Sequence, residues 1–185
     1  PTLNFNSNFT IATSVSDGAL AVTGVKTMTG TPVNDAPTAT NLSAAETYTE
    51  DTSLNLIDIV ASDVDSASVT ATLTLSNVAA GSLNTATSGS VTSTFAAGVW
   101  TASGAIADVN TLLAGVTFTP TLNFNSNFTI ATSVSDGALA VTGVKTMTGT
   151  PVNDAPTATN LSAAETYTED TSLNLIDIVA SDVDS

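Results

Sequence analysis

Every residue from 1 to 66 recurs, without one substitution, at 120 to 185, so that Pro1 becomes Pro120 at an offset of 119. An identity of that length marks tandem duplication. A period of 119 is too long for a solenoid repeat, whose units run to roughly 20–50 residues, and suits a whole domain. The 185 residues therefore read as one and a half copies of one unit. The turn-like segments V-N-D-A-P at 33–37 and 152–156 divide them. Residues 1–32 are the C-terminal part of one copy, 33–151 a complete copy, and 152–185 the N-terminal part of the next. Because the chain opens inside a repeat, we expect it to be a window on a longer array.

Strand signals dominate the complete copy: threonine, valine and isoleucine in short alternating runs. Residues 38–42 and 47–49 read as a split first strand, and Leu54 and Leu56 as the inward side of a second. Over 68–75, Val69, Ala71, Leu73 and Leu75 alternate with Thr70, Thr72 and Thr74, which puts the two sets on opposite faces. Residues 90–95 and 99–102 read as a hairpin, and 116–119 as a further strand. Residues 127–135 and 139–147 form a last hairpin turned at Asp136-Gly137. One helix is expected, over 107–114, with Asp108 capping its start and Gly115 ending it. The sum is an all-β fold of about seven strands with one short helix, the strand count of an immunoglobulin-like sandwich. Trp100, Phe95, Phe118, Phe124 and Phe128 are expected in its core, with Leu54, Leu56, Leu73, Leu75 and Val134.

The stretch 32–66 and its repeat at 151–185 together hold most of the carboxylates, in the first occurrence Asp35, Glu46, Glu50, Asp51, Asp58, Asp63 and Asp65. Neither contains a lysine, arginine or histidine. Acids at that density repel one another unless a cation neutralises them. The whole chain carries a net charge of -15, with two lysines, Lys26 and Lys145, against 17 acids. That balance argues against nucleic acid and anionic membrane surfaces as partners. Charged residues are only 10% of the chain and hydrophobic ones 42%, which is not the composition of a disordered acidic tail. Histidine and cysteine are both absent. Their absence removes the commonest general base, thiolate metal sites and a disulfide scaffold, and makes an enzyme the weakest of the functional readings. Hard oxygen ligands without nitrogen or sulfur suit calcium ahead of magnesium, because calcium accepts 6–8 irregular oxygens from several segments. No apolar run approaches the 18 residues of a membrane span.

The succession N-D-A-P, T-E-D, D-V-D and S-D-G resembles the cadherin-like repeats of giant bacterial surface adhesins, including those of biofilm and repeats-in-toxin type. The resemblance covers the complete copy and both partial ones. It implies a Greek-key sandwich, Ca2+ at the joints between copies, and a rigid extender that holds a distal binding region away from the cell. Two departures stand out. The linker lacks the first aspartate of the animal motif D-x-N-D-x-A-P, Pro32 standing in its place, and the D-R-E motif has no counterpart.

Strand alternation in such a Greek key assigns the acids to two ends. The first joint draws on Asn34, Asp35, Asp63, Asp65 and Asp136. The second combines Glu50 and Asp51 of the complete copy with Asn153, Asp154, Asp182 and Asp184 of the next; Asp108 is assigned to the same end, where its helix-capping role is preferred to a place among the ligands. Glu169 and Asp170, the repeats of Glu50 and Asp51, complete the candidate set. Glu46 and Asp58 are expected to be solvated surface acids. The function that follows is a calcium-stabilised structural extender on a bacterial cell surface, with neighbouring copies as partners and lateral or end-to-end assembly open. The alternative is a module that binds a carbohydrate or receptor directly, which would require an exposed aromatic platform.

Overall fold

The computed structural model describes residues 2–184; Pro1 and Ser185, the outer bounds of the two partial copies, lie outside the described residues. The first partial copy forms a hairpin of β1 (Phe9–Ser16) and β2 (Ala21–Met28). The complete copy supplies β3 (Thr38–Ala39), β4 (Glu46–Thr49), β5 (Leu54–Asn55), β6 (Ala61–Ser62), β7 (Ser68–Leu75) and β8 (Gly81–Leu83). It continues with β9 (Thr87–Ser88), β10 (Val91–Thr92), β11 (Thr94–Ala96) and β12 (Val99–Ala105). After helix α1 (Ile106–Ala114) come β13 (Thr117–Pro120), β14 (Phe128–Ser135) and β15 (Ala140–Thr150). The last partial copy pairs β16 (Thr157–Thr159) with β17 (Val179–Ser181).

The fold is an all-β sandwich. One sheet has the order β11-β12-β7-β14-β15-β4, and a smaller one β5-β13-β8. Period-two alternation builds the interface: β7 buries Val69, Ala71, Leu73 and Leu75 and turns its threonines outward. Strand β14 does the same with Phe128, Ile130 and Val134. Trp100, Phe118 and Tyr48 are almost fully enclosed, while Leu54, Phe95 and Phe124 pack at the margin of the core. Tyr48 lies edge-on to Phe118, ring centroids 5.2 Å apart, and its hydroxyl donates to the Ser126 carbonyl. The split first strand is real: β3 pairs with β6, and β4 crosses to pair in parallel with β15.

Three expectations are corrected. Strand β8 goes unread in the sequence because it is only three residues long, G-S-L; it pairs with β13 and, standing between β7 and the β11–β12 hairpin, reverses the directions inferred for those two strands. Strand β12 is consequently antiparallel to β7 and ends opposite Ser68, which puts the start of α1 at the same end of the sandwich as Asp136. Asp108 therefore lies at the end away from the second joint. Nor does it cap the helix: the N-cap is Ala105, and Asp108, in the first turn, accepts a hydrogen bond from Ser88 Oγ. The third correction is Glu46. It is buried, and its Oε1 meets Lys145 Nζ at 2.8 Å, both side chains being nearly inaccessible. The same oxygen accepts the Ile57 N–H, and Lys145 also donates to the Ile57 carbonyl.

Candidate metal centre

Strands β4 and β15 end side by side, with Thr49 opposite Thr150. The turn after β4 closes when Thr52 N–H donates to the Thr49 carbonyl, with Asp51 in the left-handed region at φ 58°. Asparagine and aspartate tolerate that conformation better than most residues. It places Glu50 and Asp51 at the tip of the sandwich, where the chain leaves β15 for the next copy.

There Glu50, Asp51 and Asp154 converge, their ligand oxygens all within 4.8 Å of one another. They come from one segment of the complete copy, the turn after β4, and from its successor's linker. Glu50 is only 1% exposed. Its Oε2 accepts the Asn125 side-chain amide at 2.8 Å and the Val152 N–H at 3.1 Å. Its Oε1 is buried with no hydrogen-bond partner, and so is Oδ2 of Asp154. Asp51 Oδ1 accepts the Asn123 N–H. Asp154 N–H donates to Asp184 Oδ2, and Asp184 N–H to Asp182 Oδ1. Asn153 donates to the Asp154 carbonyl. Partial burial, and then the charges of Asp184, Asp51, Glu50 and Asp182, push the Asp154 carboxyl above its ordinary value. Oxygens left without a donor among like charges have the chemistry of a cation site and fit a hard divalent ion.

The first joint shows the complementary half. Asn34 Nδ2 donates to Asp136 Oδ2 at 2.7 Å, and Asp35 N–H to Asp65 Oδ2 at 2.7 Å. Asp63 Oδ1 accepts the N–H groups of Asp65 and Ser66, while its Oδ2 is buried without a partner. Asp136 also accepts the Ala138 and Leu139 N–H groups. Those bonds, the Leu139 one first and then that from Asn34, hold its carboxyl below the ordinary value. Asn34, Asp35, Asp63, Asp65 and Asp136 thus lie together. Glu50, Asp51, Asn153, Asp154, Asp182 and Asp184 do so at the other joint. Glu169 and Asp170 stand apart, exposed in a turn closed by Thr171 N–H on Thr168. Asp58 is exposed, as expected.

Two contributors go unread in the sequence. Asn123 and Asn125 reach the second joint from the loop between β13 and β14, and their counterparts Asn4 and Asn6 line a cavity at the first joint with Asp35 and Asp65. The signal was there: L-N-F-N-S-N follows a strand and stands in both copies. Among known proteins, no family model matches this chain, and no curated protein does either.

Proposed function

We propose that the chain is part of a tandem array of cadherin-like extender repeats from a secreted bacterial adhesin or filament, with Ca2+ bound at each joint. The observation that carries this reading is the pair of buried, unpartnered oxygens, Glu50 Oε1 and Asp154 Oδ2, supplied by successive copies to one cluster. A cation there would be held by Glu50, Asp51 and Asp154, with Asp182 and Asp184 orienting the linker aspartate. It would offset the burial and then the like charges that raise the Asp154 carboxyl, and would tie two copies together. Asn125 and the Val152 amide hold Glu50 by one oxygen and leave the other turned to the cluster. The described residues include no helix long and apolar enough to cross a membrane. The aromatic residues of the complete copy fill or flank its core. The ligand-binding alternative therefore lacks the exposed aromatic platform it needs, and the cluster is read more simply as a cation site than as a catalytic carboxylate pair.

Calorimetric titration of the chain with calcium tests the proposal. The expected affinity is that of extracellular modules, on the order of 10⁻⁴–10⁻³ M. Glu50→Gln is expected to abolish binding at the second joint. Absence of binding at millimolar calcium would overturn the metal assignment.

A further inference from the structure

A pull along the array would enter the complete copy at Pro37, just after the Asp35–Asp65 contact, and leave at Thr150, whose carbonyl accepts the Glu50 N–H. Between those points the first elements are β3 and β4, and the last is β15. Strands β4 and β15 are neighbours and run parallel, with Glu46, Thr47, Tyr48 and Thr49 opposite Met147, Thr148, Gly149 and Thr150. A pull on the two ends of the copy therefore drags β4 toward its own start and β15 toward its own end. The backbone hydrogen bonds between them lie across that pull, so they must fail together instead of one after another.

The same seam carries contacts that no other strand pair in the copy has. Lys145 Nζ reaches across it to Glu46 Oε1 at 2.8 Å, with both groups enclosed by the core. Through the Ile57 N–H and carbonyl the pair is also fixed to the segment after β5. In water such a pair contributes little, but buried and hydrogen-bonded to Ile57 it cannot be separated without exposing two bare charges to the core. Tyr48 anchors β4 to the aromatic cluster and to Ser126. Gly149 opposite it is held close: a Cβ there would stand 2.1 Å from the Asn125 carbonyl oxygen. Beyond the strand ends, Glu50 N–H donates to the Thr150 carbonyl, and Glu50 Oε2 accepts the Val152 N–H. The seam thus runs into the side chain that faces the joint.

We propose that β4–β15 is a shear clamp that bears tension along the array, with the buried Lys145–Glu46 pair as its lock. The inference rests on the extender reading, which supplies the tension, but the clamp itself is a property of the single copy. In the array, the copies resist extension through this seam, and the joint cation stiffens its exit end.

Single-molecule pulling on the full chain tests it, in chelator and in calcium. Pulled from its two ends, the complete copy is expected to yield in one step that releases on the order of 350 Å of chain. Pulled between Thr52→Cys and the C-terminal end, β4 peels from β15 starting at their shared end, and the force is expected to be several-fold lower. The paired change Glu46→Leu with Lys145→Met keeps the site filled and uncharged, a replacement that buried ion pairs commonly tolerate at equilibrium. It is expected to raise the end-to-end unfolding rate at fixed force by on the order of tenfold or more, and to leave the peeling rate and the denaturant midpoint unchanged. Equal forces in the two geometries would overturn the clamp. An unchanged end-to-end rate in the paired variant would overturn the lock. The comparison of geometries in chelator stands whether or not calcium binds, whereas loss of any calcium effect bears on the metal assignment alone.

Discussion

The two oxygens of Glu50 do different work. Oε2 is satisfied by Asn125 and Val152, and Oε1 is left for the joint. At the two joints the carboxylates of Asp154 and Asp136 diverge in their proton affinity, and the sign of each is fixed by its neighbours. Asp154 is raised above 3.8 by partial burial and by the acids facing it. Without metal, its contribution to stability is therefore full below that value and is lost as pH rises through the raised one. Asp136 is lowered below 3.8 by its Leu139, Asn34 and Ala138 donors, so its contribution is present above 3.8 and lost as pH falls through the lowered value. Carbon-detected NMR of the side-chain carboxyls in chelator is expected to show Asp154 titrating at the higher pH of the two. Added calcium should move the Asp154 midpoint downward, because the ion competes with its proton. The reverse order would mean that the joint acids do not face one another. The acidic candidates were legible because residue type and crowding alone marked them. Glu46 was not, because its partner is 99 residues away and its burial depends on how β4 crosses between sheets.

One sequence, F-T-I-A-T-S-V-S, stands in two settings as β1 and β14, and in the same hairpin register: Phe9 opposite Met28, and Phe128 opposite Met147. Local propensity cannot tell them apart. Packing does. Phe128, Ile130, Val134 and Met147 are buried, whereas Phe9, Ile11, Val15 and Met28 are 44%, 43%, 78% and 42% exposed. Each buried side chain of this kind stabilises by about 2 kcal/mol, and a hairpin alone is marginal in water. Hydrogen exchange on this chain is accordingly expected to be far faster at amides 9–15 than at 128–134. Equal protection would show that β1–β2 is covered by something other than its own hairpin. The contrast also shows how far the sequence can be read. Strand β7, the helix and the final hairpin follow from alternation, and from Gly115 and Asp136-Gly137, all of which are local signals. Strand β8 has no alternation to display in three residues. Missing it reversed the inferred direction of β12 and sent Asp108 to the wrong end.

At the scale of the whole chain, the acids gather where copies meet, and the sandwich between the joints is held by its core and a single internal ion pair among the described residues. Cation removal should therefore loosen joints before it unfolds copies. Small-angle scattering is expected to show a distribution of end-to-end distances that broadens toward bent forms when calcium is chelated, while circular dichroism of the sheets stays constant. The two joints can be addressed separately, because their residues are disjoint. Asp65→Ala removes the acceptor of the Asp35 amide at the first joint. Glu50→Ala removes the most deeply buried ligand of the second. Each variant is expected to keep the calcium response of the joint it leaves intact and to lose that of the other. With distance labels on the two sides of each joint, Asp65→Ala should free the segment before Asn34, and Glu50→Ala the segment after Val152. If Glu50→Ala instead loosened the first joint, or if scattering were indifferent to chelator, the carboxylates would not be acting as the hinge pins of an extended array. Their crowding at the joints would then be no more than a solvated acidic surface.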